Sequence, residues 1–562
     1  MKKNLLKILL VVLFVSSFIL MIFSAKLDSQ TTDEAIHLFS GYTYLTKGDF
    51  RLDPEHPPLL KELAALTLLA QKVNIQLGTK WQKAGEFYYD SWQEARILSE
   101  KFFYTWGNNP DQLLFWGRLP FIMLTLLLGF LVFYWAKKLY GTKSGILAAI
   151  LTLFFPNFLA HGRLINTDLG VTLFIFLTIF LWGNFLKKPT YLNLLLSGLG
   201  LGLVLSSKFT GILIVPILII LTLIKIFWFD PAAKHNWWLK YLGGLIGIKI
   251  IAFVMIWCTY GFSTTTPPVL LGSLSQNIYL GTGFNVPATF DAFFAKIRFL
   301  LFPADFYKGL ILILRHSLGG HASFLLGANS NTGWWYYFPI AIFYKTPIPI
   351  FIFLILTMVY FKKIRAKNLF DEMLLIVPPL IYLIFSLFSK ADLGVRHILP
   401  IFPFVFVFVS KSINAFEFKF KKSSLKTKLM PTIFIILVIW YLLSAIFSFP
   451  NYLAYFNEFA GGSKGGYKIL TDSNLDWGQD IYRLKDYLDE HQIKKVYLVY
   501  PWDGDVAIKY YGIDFQPLYP EDTKVSGPVV ASVTYLQMEA YSWLKQYPFE
   551  QITPGLFVFQ LP

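Results

Sequence analysis

The sequence predicts a polytopic α-helical membrane protein of about eleven spans, with amphipathic outer-loop helices and a small C-terminal α/β domain. Composition, recurrent apolar runs and the one-sided distribution of Lys and Arg predict it. The chain has 562 residues, 55% of them hydrophobic, 18% aromatic and only 15% charged, where soluble domains carry about 25% charge. With a mean hydropathy of +0.52, these values exclude a single water-soluble domain and also exclude disorder. The net charge of +16 is not carried by a basic stripe with interleaved aromatics, so no nucleic-acid partner is expected. Cys258 is the one cysteine, which excludes an intrachain disulfide.

Apolar runs long enough to approach a crossing lie near 5–24, 115–136, 144–160, 169–186, 191–206, 209–229, 241–260, 338–361, 372–389, 398–410 and 430–449. The first lacks a small-x-small cleavage signal and reads as an anchor. Lys and Arg at span ends mark the cytoplasmic side. Lys137, Lys138, Lys187, Lys188, Lys225, Lys234, Lys362, Lys363 and the run from Lys411 through Lys419, Lys421 and Lys422 all fall on one side, together with Lys2, Lys3 and Lys7. The opposite short loops hold few cations: Arg163, Lys208, Lys390 and Arg396. The expected topology is therefore a cytoplasmic N terminus, a membrane domain over 1–449, and extracytoplasmic segments over 25–114, 261–337 and 450–562. Gly198 and Gly202, like Gly243 and Gly247, have the spacing of close helix packing.

The tail changes character. Strand-like runs at 495–500, 529–533 and 557–559 alternate with helical patterns at 479–490 and 537–547. The segment Asp503-Gly504-Asp505 lacks the rest of a calcium loop and reads as a turn.

The first outer segment holds Thr31-Thr-Asp-Glu-Ala-Ile-His37 directly after the first span. Thr31 and Glu34 have the spacing of a capping box, while paired carboxylates at a membrane boundary also mark function. Both readings stand. Further on, Pro57-Pro58 suits the start of an amphipathic helix over 59–70 that carries Lys61 and Glu62 and lies along the membrane interface. His56 reads as a ligand, an acid or a hydrogen-bonded loop residue. His316 and His321 flank two glycines but make a poor zinc pattern without a nearby Cys or carboxylate. The aromatic run Trp334 to Phe338 suits an interfacial belt.

Several of these pieces occur together in one known family. Asp33-Glu34, Gly41-Tyr42, Gly48-Asp49, Pro54-Glu55-His56-Pro57-Pro58, His161-Gly-Arg163, Thr167-Asp168, Ser207-Lys208, Gly333-Trp-Trp-Tyr-Tyr-Phe-Pro339, Lys345-Thr-Pro347 and Arg396-His397 resemble, in order, the protein O-mannosyltransferase-like branch of the GT-C glycosyltransferases. The tail segment Asp472 to Asp480 resembles bacterial branches of that family. The resemblance implies inverting transfer of a sugar from a polyprenyl-phosphate donor to a hydroxyl acceptor on a protein, glycolipid or envelope glycan, within a bacterial plasma membrane. It implies Asp33 as general base, with Glu34 holding neighbouring groups or sharing the acceptor site. Lys208, Arg396 and His397 would meet the donor phosphate, against the plainer reading of snorkelling to lipid headgroups. Asp168, Arg163, His56, His161 and Lys345 would serve the acceptor or act as secondary groups. The resemblance leaves room for a divalent cation and implies that none is essential.

Two other classes compete. A lipid-linked oligosaccharide ligase or polymerase would rely more on outer-loop Arg and His than on an early Asp-Glu pair. A transporter or flippase would show repeated halves and midplane charges, and neither is evident here.

Overall fold

The computed structural model describes residues 2–78, 92–230, 237–263, 302–416, 425–500 and 505–562. Lys234, Lys419, Lys421, Lys422, residues 264–301 of the expected outer segment 261–337, and Asp503 and Gly504 lie outside the described residues.

Each expected span falls on a helix. Among the described residues, eight helices are long and apolar enough to cross a membrane: Asn4–Lys26, Pro110–Tyr140, Asp168–Lys187, Phe209–Phe229, Trp238–Thr259, Leu369–Ser386, Val395–Ala415 and Leu429–Phe447. The expected span 338–361 is instead two helices, Tyr337–Lys345 and Ile348–Val359, meeting at 103°. Pro347 and Pro349 account for the break, because proline cannot donate to the preceding turn. The run 144–160 likewise stops at Leu153 and restarts at Pro156. Its first piece spans only about 18 Å at about 1.5 Å per residue. Tyr191–Leu205 is also short and packs on Trp237–Thr259 through its glycines. A Cβ at Gly198 would meet Ile251 at 2.6 Å and one at Gly202 would meet Met255 at 2.5 Å, whereas Gly243 faces open space.

The two ends of the bundle carry different chemistry. At one end, Lys411 pairs with Glu372 at 2.5 Å, Lys187 pairs with Asp371, and Lys225 pairs with Asp230 at 2.9 Å. These are cations counted above toward one face. At the other end lie the helix Glu34–Lys47, the helix Leu59–Leu66, and the first residues of Asp168–Lys187 and Val395–Ala415.

The helix Glu34–Lys47 ends at Gly48, whose left-handed φ of 62° lets its N–H reach the Tyr44 carbonyl at 3.0 Å. It crosses Leu59–Leu66 so closely that a Cβ at Gly41 would lie 2.0 Å from the Lys61 carbonyl oxygen. The second helix begins after Pro58, as expected, but its Lys61 does not face an interface. Lys61 is 1% exposed and its ammonium donates to the Tyr44 hydroxyl at 2.8 Å and to Asp53 Oδ2 at 3.3 Å. The amphipathic pattern misled here because a buried carboxylate replaces solvent as the partner of the charge. Gly41→Ala is expected to lower stability by about 1–3 kcal/mol and to reduce activity, read by thermal denaturation in detergent beside a transfer assay.

The C-terminal sheet has five strands in the order β4-β3-β5-β7-β6. These are β3 (Val496–Val499), β4 (Phe515–Pro517), β5 (Gly527–Ser532), β6 (Phe549–Thr553) and β7 (Leu556–Leu561). β3 runs parallel to β4 and β5, and β7 is antiparallel to β5 and β6. The three expected strand runs lie on β3, β5 and β7. The edge strands β4 and β6 carry weak patterns, and β4 ends in a proline of the kind confined to sheet edges. A separate hairpin, β1 (Ser323–Leu325) with β2 (Ala328–Ser330), precedes the broken helix pair.

The segment before the sheet is sewn to the first outer loop. The Thr32 N–H donates to the Trp477 carbonyl at 3.1 Å and the Ser29 N–H to the Gln479 carbonyl at 3.0 Å. Arg483 reaches both Asp28, at 2.8 Å, and Asp480.

Candidate active site

The adjacent carboxylates Asp33 and Glu34 part company in space. Glu34 is wholly buried and accepts from Arg118 Nε at 2.8 Å and Nη2 at 2.6 Å, from the Thr31 N–H at 2.9 Å and from the Ile165 N–H at 2.9 Å. Burial alone would raise its pKa, but Arg118 and the two amides outweigh burial and hold it below the usual range. Half of the capping box is present, since Glu34 reaches the Thr31 amide while the Thr31 hydroxyl has no partner among the described residues. Glu34 does not line the cavity described below, which corrects the expectation that it shares the acceptor site.

Asp33 faces a cavity of about 330 Å³ whose walls also include Lys208, Arg396, His397 and His56. Arg396 Nη1 lies 3.3 Å from Asp33 Oδ2 and 3.6 Å from Asp168 Oδ2. Its guanidinium sits 4.3 Å from the centre of the Trp477 ring. Lys208 Nζ approaches Asp168 Oδ1 at 2.5 Å. Asp168 thus sits between two cations and fixes both, rather than lining the cavity itself. Lys208 and Arg396 are buried against carboxylates, so they do not snorkel outward. Burial pushes the Asp33 carboxyl upward, and the opposing pull of Arg396 does not cancel it.

A second buried group adjoins the first. His37 Nδ1 lies 2.8 Å from Asp53 Oδ2, and the Asp53 carboxylate also meets Lys61. Burial would raise the pKa of Asp53, but Lys61 and His37 outweigh it and hold the group ionised. His56 packs edge-on to His37 at 5.4 Å between centroids. Burial, reinforced by His37, keeps the His56 imidazole neutral far below its usual pKa.

Three expected secondary residues lie behind the cavity rather than in it. Arg163 is fully buried, with Nη1 2.5 Å from Asp28 Oδ2 and donating to the Ser24 carbonyl at 3.0 Å. Lys345 donates to the carbonyls of Leu453 at 2.8 Å and Asn474 at 2.6 Å. His161 is buried, which lowers its pKa to about 3, and it faces Trp477 at 6.1 Å between ring centroids. All three tie the bundle to the segment after Pro450 and do not reach the cavity.

The cavity also contains residues that the sequence reading left without a role, namely His37, Asp53, Glu55, Asp472 and Trp477. His37 had a signal, because it lies four residues after Asp33 and so on the same helical face. Trp477 had none, because its partner Arg396 is remote in sequence. His316 and His321, weighed above as a poor metal pair, line the same cavity, and His316 Nδ1 lies 3.8 Å from Glu55 Oε2. Among the described residues no group of three or more His, Cys, Asp or Glu is arranged to hold a metal ion.

Residues 111–257 match a family model described as dolichyl-phosphate-mannose-protein mannosyltransferase. Over these residues the chain is similar to that membrane glycosyltransferase family. The match bears out the resemblance read from the motifs. It covers Arg163, Asp168 and Lys208, while Asp33 and Arg396 lie outside it and join the site through the fold. No curated protein matches the chain in sequence. Among solved structures, the chain aligns with ArnT from Cupriavidus metallidurans bound to undecaprenyl phosphate, at 11% identity over 98% of this chain and 97% of that one, with a TM-score of 0.49. It also aligns with the oligosaccharyltransferase AglB from Archaeoglobus fulgidus in complex with an inhibitory peptide and a dolichol-phosphate, at 12% identity over 98% of this chain and 74% of that one, TM-score 0.47. The S. cerevisiae protein O-mannosyltransferase Pmt1-Pmt2 complex bound to the sugar donor aligns at 17% identity over 46% of this chain and 33% of that one, TM-score 0.33.

Chemically, the cavity brings the Asp33 carboxylate, the cations Lys208 and Arg396 and neutral imidazole to a single small volume. Such a set removes a proton at one point and receives negative charge at another.

Proposed function

We propose that this protein is a glycosyltransferase that moves a sugar from a polyprenyl-phosphate carrier to a hydroxyl acceptor, with inversion at the anomeric carbon, on the extracytoplasmic face of a bacterial plasma membrane. The observation that carries this reading is the 3.3 Å approach of Arg396 to Asp33 across 363 residues of chain, at one cavity. The Asp33 carboxylate takes the proton of the acceptor hydroxyl as the oxygen attacks the anomeric carbon. The bond from that carbon to the phosphate oxygen breaks on the opposite face, and its electron pair leaves with the phosphate. Arg396 and Lys208 meet the leaving charge, one as a fork of donors and the other as a point charge. His397 and neutral His56 offer hydrogen bonds to the same group. Asp168 keeps both cations oriented in the absence of donor. The clustering of Lys and Arg at the opposite membrane face supports a cytoplasmic N terminus and an outward-facing site.

Incubating the purified protein with a panel of polyprenyl-phosphate sugars tests the reading. Release of sugar from at least one donor is expected, and no turnover of any of them overturns it. Arg396→Ala should weaken donor use roughly ten- to 150-fold, the equivalent of losing about 1.5–3 kcal/mol from a charged hydrogen bond. Unchanged donor affinity and turnover in that variant would exclude the phosphate role.

The pH profile follows from the upward shift of Asp33. A general base works deprotonated, so kcat/KM falls as pH drops through its pKa. That acid limb should lie above the 3.8 of an ordinary aspartate, and Asp33→Glu should displace it. A limb unmoved by this substitution would assign the titration to another group.

A further inference from the structure

A second cavity, of about 240 Å³, opens beside the first and shares His321 and Asp472 with it. One wall is the hairpin β1–β2, and the other is the C-terminal segment around Thr471, Thr534 and Glu539. We infer that this cleft binds the acceptor as a saccharide, neutral or amino-bearing, whose terminal hydroxyl passes Asp472 to reach Asp33. The inference rests on the glycosyl-transfer reading of the main cavity.

The lining selects the ligand class. Hydroxyl, amide and carboxylate side chains dominate, and no Lys or Arg lines the cleft. An anion such as the donor phosphate is therefore drawn to Lys208 and Arg396 next door and disfavoured here by Asp472 and Glu539. A polyhydroxyl chain suits such a surface, because each sugar hydroxyl both donates and accepts. Asn331 and Glu539 are exposed and have no side-chain hydrogen-bond partner among the described residues, so their groups are free for a ligand.

The cleft is also built firmly. Asp472 adopts φ 58°, a conformation uncommon outside glycine and costly unless its surroundings hold it. Its N–H donates to the Thr534 hydroxyl at 3.1 Å, fixing the junction between the two cavities. Gly320, at φ 79°, lets the chain pass the Asn331 carbonyl where a Cβ would stand 2.1 Å from that oxygen. Asn329 Nδ2 donates to the Gln537 carbonyl at 2.9 Å and bridges the walls. A peptide adding as a strand would need a longer free edge than three-residue β2 offers.

Saturation-transfer NMR on the full-length protein in detergent tests the inference, with mannotetraose, cellotetraose and chitotetraose as probes and a Ser/Thr-rich decapeptide for comparison. Donor binding is measured first on the same preparation, using a polyprenyl-phosphate sugar. Saturation of at least one tetrasaccharide is expected, reduced at least fivefold by Asn331→Trp and by Glu539→Ala. Asp472→Asn, which tolerates the left-handed backbone, should weaken it as well. If donor binds but no tetrasaccharide does, or if the signal survives both cleft variants, the saccharide cleft is wrong while the transferase reading stands. Saturation of the decapeptide alone would equally overturn it. Failure to bind any donor would remove the underlying reading itself.

Discussion

Asp33→Asn lowers the rate of sugar transfer by about 10²–10⁴-fold, the span ordinarily lost with a general base. The substitution keeps the size of the side chain, and its carbonyl oxygen still accepts from Arg396 Nη1, now 3.3 Å away. The carboxamide has no basic lone pair for the acceptor proton. Arg396 retains Asp168 at 3.6 Å and the Trp477 face at 4.3 Å, so the guanidinium stays in position and donor affinity should change little. Initial rates and donor dissociation constants, measured side by side on purified protein, separate the two effects. Normal turnover in this variant would remove Asp33 from the proton-transfer step, whatever the state of donor binding.

Arg118→Ala produces the largest loss of stability. Arg118 is 2% exposed. Besides its two bonds to Glu34 it donates to the carbonyls of Ala25 at 2.6 Å, Asp28 at 2.9 Å and Ser29 at 2.8 Å. Truncation leaves the Glu34 carboxylate buried beside three carbonyls that have lost their donor. Removing one partner of a buried ion pair costs about 3–5 kcal/mol. The turn that orients Asp33 loosens with it, because the Thr31 and Ile165 amides converge on the same carboxylate. Thermal unfolding in detergent should show a markedly lower midpoint, and activity should fall even at low temperature. Arg118→Lys should recover part of the stability, because it restores charge but not the fork of donors. A midpoint equal to that of the unsubstituted protein would contradict the role of this arginine.

The membrane architecture was legible in the chain because apolar length is a local property. A run of about 20 apolar residues must hydrogen-bond its own backbone, whatever surrounds it. Local sequence was less informative where proline and tertiary packing share the decision. The bend at Pro347 and the stop before Pro156 divided what hydropathy alone reads as continuous.

The candidate site divides in a similar way. Lys208 and Arg396 were legible as rare cations of the outer loops, and Asp33, His397 and His56 through the motifs of the resembled family, and all five line one cavity. Arg163, by the first of these signals, and His161 and Lys345, by the second, looked the same but point into the packing behind it. Polarity at a span end reports that a group needs a partner. It does not distinguish a ligand from a carbonyl or carboxylate of the protein itself.

The sequence by itself determined that this chain is a bundle of apolar helices with charged groups at the helix ends and a mixed α/β tail, and its ordered motifs pointed to glycosyl transfer. Only the tertiary structure decided that Glu34 turns toward Arg118 while its neighbour Asp33 faces Arg396, that Lys61 is buried, and that Trp477 comes from the tail to lie against the arginine. The physical reason is range. Helix formation and lipid compatibility depend on residues a few positions apart, whereas the pairing of a buried charge depends on which counter-charge the folded chain brings within about 4 Å.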